Sequence, residues 1–129
     1  MQTNRKFLVA GAVFGLLAVI LGAFAAHGLK EILSEASLNS FETGVRFQMY
    51  HALLMLILGI ILTENDHKWL FYIFLTGTIL FSGSIYLLTT SAATGADFSA
   101  IALVTSIGGA LLIIGWFLLV LKFIKLKNK

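Results

Sequence analysis

A chain of 129 residues with 59% hydrophobic and 12% charged residues, at a mean hydropathy of +0.97, is too apolar to keep a water-facing surface as a monomer. The absence of cysteine excludes both a disulfide framework and a thiolate metal site. The net charge of +3 would suit a nucleic-acid binder, but the basic residues stand at the ends of apolar runs and not in an aromatic-interleaved patch, which excludes nucleic acid as a partner.

Four runs, 7–26, 47–63, 69–88 and 98–121, contain no Asp, Glu, Lys or Arg. A hydrocarbon core of ~30 Å takes roughly 20 helical residues to cross, so the chain reads as one all-α domain in the lipid bilayer, a four-helix transmembrane bundle with helices over 7–27, 40–63, 67–88 and 98–122. The first run follows Arg5 and Lys6 and carries Ala23-Phe24-Ala25, which imitates a cleavable secretion signal; its length favours a retained span. Gly28, after His27, is placed to close this helix in a left-handed conformation.

Between the first two helices, Leu29, Ile32, Leu33 and Ala36 recur at helical spacing opposite Lys30, Glu31 and Glu35. That pattern predicts a short amphipathic helix on the outer surface, or else a cap over the end of the bundle. Asn39 with Glu42 forms a capping box that starts helix 2 near Ser40, and Asn65 or Asp66 and then Asp97 are placed to cap helices 3 and 4. With no proline in the chain, no proline kinks are expected.

Orientation follows from the basic residues. Arg5, Lys6, Lys68, Lys122, Lys125, Lys127 and Lys129 lie at one end of the predicted spans and only Lys30 and Arg46 at the other, which predicts that both termini are cytoplasmic. The Lys-rich tail is a stop signal, and it also suits anionic headgroups.

Lipid tails are as apolar as leucine, so helices in a bilayer associate through close backbone approach. Gly11, Gly15 and Gly22, with Ala18 and Ala26, supply a small-residue face on helix 1; Gly77, Gly83 and Ser84 do so on helix 3, and Gly108, Gly109 and Gly115 on helix 4. These faces serve either packing within one bundle or an oligomerisation seam. Packing within one bundle predicts that a bulky residue at Gly15 unfolds the monomer.

The polar residues of the spans gather toward the outer half. They are His27 on helix 1; Glu42, Arg46, Gln48, Tyr50 and His51 on helix 2; Ser82, Ser84 and Tyr86 on helix 3; and Thr105 and Ser106 on helix 4. Groups of this kind at this depth pair with one another or line a wet cavity. Arg46 needs an acceptor, for which Glu42 is the near candidate, and His51 has His27, a helix 3 hydroxyl or water within reach. His67 falls on the other side, and two imidazoles do not complete a metal site, so no metal is expected. No His-Glu-x-x-His, Gly-x-Ser-x-Gly or phosphate-binding glycine loop is present, so neither a catalytic residue nor a cofactor is expected.

Four segments, Gly22-Ala23-Phe24-Ala25-Ala26-His27-Gly28-Leu29, Phe47-Gln48-Met49-Tyr50-His51-Ala52-Leu53, Phe81-Ser82-Gly83-Ser84-Ile85-Tyr86, and Ile107-Gly108-Gly109 with Gly115-Trp116, occur in that order over nearly the whole chain. In them the chain resembles the YgdD/YwdK-like family of small bacterial inner-membrane proteins, a domain of unknown function. The resemblance implies four membrane helices and leaves activity open. The chain departs from the family pattern at Ala25, where glycine is frequent, and at Thr105-Ser106, where Thr-Pro is frequent. The expected role is non-enzymatic, in membrane homeostasis or stability or as an accessory to other membrane proteins. The alternative is a homo-oligomeric channel or carrier for protons or a small solute, entered through the His27, Arg46 and His51 region.

Overall fold

In a computed structural model, which describes residues 3–63, 67–94 and 100–126, each apolar run falls largely on one long helix. Helix α1, Arg5–His27, begins where Asn4 is extended and its Oδ1 accepts the Phe7 amide at 3.4 Å. Helices α2 (Glu35–Ile61), α3 (Lys68–Thr94) and α4 (Ile101–Ile124) follow. The shortest has 23 residues, or ~35 Å at 1.5 Å per residue, so every helix is long enough to span.

Three boundaries differ from expectation by three residues or more. Helix α2 starts at Glu35 and not near Ser40, because extended Ser34 satisfies the Ser37 amide with its Oγ at 3.1 Å and Asn39 is drawn inside the helix as an acceptor for Thr43. The outer amphipathic helix is therefore replaced by a single 3-10 turn, Leu29–Glu31, with Leu29 and Leu33 buried against Ala25 and Phe41 while Ile32 stays exposed. Helix α3 runs past Leu88 because Thr89, Thr90 and Ser91 donate to the carbonyls of Ile85, Tyr86 and Leu88, so these hydroxyls do not compete with the helix. Helix α4 starts at Ile101 behind Ala100, which makes no side-chain cap, and the expected caps Asn65, Asp66 and Asp97 lie outside the described residues.

Helix α1 does end at His27, but Gly28 has φ −75° and is right-handed. A Cβ there would come within 2.8 Å of the ring of exposed Phe24, a side chain that can swing aside.

Helix α1 packs on α2, α2 on α3 and α3 on α4, and α1 touches α3 where the rings of Phe7 and Phe71 meet edge-on at 5.1 Å. Phe7, Phe14, Ala52, Met55, Leu58, Phe74, Leu112 and Leu119 form the central core. The outward faces are just as apolar, with Leu16, Val19, Leu103 and Ile113 more than 60% exposed. Helices that are hydrophobic all round belong in lipid.

The closest helix approaches are at glycine. A Cβ on Gly11 would meet the Ala52 carbonyl oxygen at 2.8 Å, and one on Gly108 would collide with the Phe81 amide nitrogen and lie 2.9 Å from the Leu80 carbonyl carbon. Gly77 and Gly115 face Leu112 and Phe74 at 2.9 and 2.8 Å, whereas Gly22 and Gly109 make ordinary contacts at 3.5 and 3.4 Å. Gly15 and Gly83 depart from the expected packing role, since a Cβ at Gly15 would be 3.8 Å from Ala52 and one at Gly83 would meet nothing within 4 Å. Gly44 and Gly59, absent from the glycines singled out in the sequence, are tight against Tyr86 (2.9 Å) and Leu8 (2.7 Å). Gly59 also accepts the Asn4 amide at 2.7 Å, and Asn4 Nδ2 donates to Thr63, which fastens the start of α1 to the end of α2.

Candidate functional site

Gly44, Gln48 and His51 recur at helical spacing down one buried face of α2. Gln48, only 5% exposed, joins three helices: its Nε2 donates to the Phe14 carbonyl of α1 at 2.9 Å, and its Oε1 accepts the Tyr86 hydroxyl of α3 at 2.6 Å. The missing side chain at Gly44 makes room for the Tyr86 ring, and the Gly44 carbonyl accepts Ser82 Oγ at 2.8 Å.

One turn deeper, His51 is held at both ring nitrogens. Trp116 Nε1 on α4 donates to His51 Nε2 at 3.0 Å, and His51 Nδ1 lies 2.7 Å from the Phe47 carbonyl oxygen. Indole N–H only donates and a carbonyl only accepts, so the pattern assigns the neutral Nδ1–H tautomer. Phe47, Phe74 and Trp116 surround the ring at centroid distances of 6.5, 6.1 and 6.0 Å. On the far side of α3, Ser84 bonds the Phe81 carbonyl and the Thr105 hydroxyl of α4. Among the described residues, one buried side-chain atom lacks a partner, Thr78 Oγ1.

The remaining cluster members do not join. His27 is exposed and lies 13 residues beyond Phe14 on α1, about 20 Å along the axis from the level of Gln48. It is not a neighbour of His51. Arg46 is exposed and donates to Thr43 Oγ1 at 3.1 Å instead of pairing with half-buried Glu42, and Tyr50 is 52% exposed with its ring against Phe47. Ser106 is exposed and bonds back to Ala102. Trp116 is eight residues, ~12 Å, from the end of α4 at Ile124, which places its bond to His51 in the half of α4 nearer the carboxyl terminus.

Chemically the arrangement ties helices together. Ser82 and Ser84 bond carbonyls and Thr105, and neither meets His51, so the nucleophile and base that serine activation requires are not paired. At the end where the termini lie, His67 Nε2 is 2.8 Å from Lys122 Nζ. Among the described residues no group of three or more His, Cys, Asp or Glu converges on a metal position. Thr78 and Asn4 carried no signal in the sequence, being a lone threonine and a residue before the first run, and Trp116 stood out only as part of a family segment, because a tryptophan in a span counts as apolar.

The family model described as "Protein of unknown function (DUF423)" matches residues 21–109. The chain belongs to the DUF423 family. It is 37% identical over 123 residues to a UPF0382 membrane protein of Staphylococcus aureus, covering 94% of this chain and 97% of that one. It is 35% identical over 131 residues to the UPF0382 inner membrane protein YgdD of Escherichia coli K12, covering 99% and 96%. No solved structure matches. Of the network side chains, Gln48, His51, Ser82, Ser84, Tyr86 and Thr105 fall within the DUF423 region, and Trp116 falls beyond it. With four spanning helices and relatives of this kind, the chain is a multi-pass protein of the bacterial cytoplasmic, or inner, membrane.

Proposed function

We propose that this DUF423 protein acts by packing. In this reading it is a non-enzymatic membrane component, with both termini in the cytoplasm, that serves membrane stability or the assembly of other membrane proteins. The observation that carries it is how the mid-bundle polar groups are used: Gln48, Tyr86, Ser82, His51 and Trp116 are each committed to another helix or to backbone. A conducting pathway needs polar groups that face water and exchange partners, whereas hydrogen bonds between spanning helices hold them together.

Vesicles containing the reconstituted protein are expected to hold an imposed pH gradient as long as protein-free vesicles do. A leak that vanishes in a His51→Ala variant would establish the channel or carrier reading instead. The orientation rests on the seven basic residues at the terminal end against two at the other. Single cysteines at Thr3 and Leu126 are expected to react with an impermeant thiol reagent only after the cells are opened, and one at Ser37 in intact cells. The reverse pattern, or unlike behaviour of the two termini, defeats the topology.

A further inference from the structure

Helices α1 and α3 run in the same direction and meet through Phe7 and Phe71, and two recesses open between them. The recess at the terminal end has a volume of about 600 Å³ and is lined by Arg5, Lys6, Val9, Ala10, Phe71 and Tyr72. The second, of about 250 Å³, begins one helical turn further along α1 at Phe14 and continues past Leu17 to Leu21, with Thr78, Ile79 and Tyr86 on the α3 side. The walls are largely hydrocarbon, while the mouth carries two exposed cations and, among the described residues, no carboxylate.

We propose that this groove holds an acyl chain of an anionic phospholipid, with the lipid phosphate against Arg5 and Lys6. The 15 helical steps from Lys6 to Leu21 cover ~22 Å of α1, more than the ~15 Å of one leaflet's hydrocarbon, so the two recesses, taken in line, match the length of an acyl chain. The charge selects the headgroup, because basic pockets between spanning helices at the cytoplasmic side take anionic lipid. A second copy in parallel suits the groove less well, since it would bring its own Arg5, Lys6 and Lys-rich tail to the same level. The neighbouring recess of about 240 Å³, with Lys122 and Lys125 on its rim, is a weaker candidate because Lys122 Nζ already engages His67. The lipid site goes beyond the packing role, and the outcome of the pH-gradient measurement does not bear on it.

The test is native mass spectrometry of the purified full chain offered equal amounts of phosphatidylglycerol and phosphatidylcholine with the same acyl chains. A basic residue at the membrane surface favours an anionic headgroup by about fivefold, so the phosphatidylglycerol adduct is expected to dominate by at least that factor. An Arg5→Gln/Lys6→Gln variant is expected to bring the ratio to about one, and Lys122→Gln/Lys125→Gln to leave it unchanged. Val9→Trp, at a half-exposed wall position that spares the core, is expected to reduce adducts of both lipids. Equal adducts on the unmodified protein would overturn the proposal, as would a preference that follows Lys122 and Lys125 or a phosphatidylglycerol adduct undiminished by Val9→Trp.

Discussion

Gly108→Leu is expected to separate α4 from α3 and cost the protein about 3 kcal/mol of stability, the upper part of the range for overpacked sites. The reason is the identity of the obstructing atoms. A Cβ at Gly108 meets the backbone of Leu80 and Phe81, which cannot turn aside as a side-chain end can. Gly83→Ala on the opposing helix provides the contrast: nothing lies within 4 Å, so the substitution brings only the helix-propensity gain of up to ~1 kcal/mol. Gly15, equally small and equally placed in the sequence, is expected to tolerate alanine because the nearest atom would be 3.8 Å away. Midpoints of unfolding in mixed detergent micelles containing increasing dodecyl sulfate compare the three variants directly. Equal losses at Gly108 and Gly83 would show that the α3–α4 seam is not the close contact described.

The spans themselves were legible because hydrocarbon tolerates so few residue types. The absence of charge over 7–26, 69–88 and 98–121 is a strong constraint: the first two segments are helical throughout, and the third is helical from Ile101 on. Helix ends were less legible, since several residues competed for the same role. Ser34 and Asn39 are both good caps, and Ser34 prevailed because a start there lets Leu33 and Phe41 be buried together. The polar cluster was legible as a set of residue types but not as a set of partners. Gln48, His51, Ser82 and Tyr86 are conspicuous in an apolar background, yet which of them face inward depends on the rotation of each helix about its axis. A rotation of one residue, 100°, separates buried Gln48 from exposed Phe47, and charge carried Arg46 to the exposed surface. The signal that identifies the inward face was present in the sequence: Gly44 with Gln48, and Ser82 with Tyr86, are i, i+4 pairs of small and polar residues, and the structure sets one pair against the other. The partner of His51 carried no such signal, because Trp116 is an amphipathic side chain in a run that reads as uniformly apolar.

Gln48→Leu is expected to be the most damaging substitution in the polar network, at about 2 kcal/mol. A single hydrogen bond between spanning helices contributes ~0.6 kcal/mol on average, so the two bonds of Gln48 account for only part of that loss. The remainder comes from the Tyr86 hydroxyl, which is left without its acceptor in a half-buried position where leucine offers nothing in return, and an orphaned polar group costs ~1–3 kcal/mol. The Phe14 carbonyl is less affected, because it retains its place in the α1 ladder. An orphaned hydroxyl has a consequence that a simple count of bonds lacks: Gln48→Leu/Tyr86→Phe, which removes donor and acceptor together, should be no less stable than Gln48→Leu alone, although it deletes one more polar group. The two single substitutions and the double one, measured as unfolding midpoints in the same micelles, form a cycle whose coupling is expected at ~1 kcal/mol for groups in direct contact. Additive losses would mean that Tyr86 and Gln48 do not depend on each other, and that the tie across α1, α2 and α3 is held by apolar packing around Phe14 and Phe74 alone.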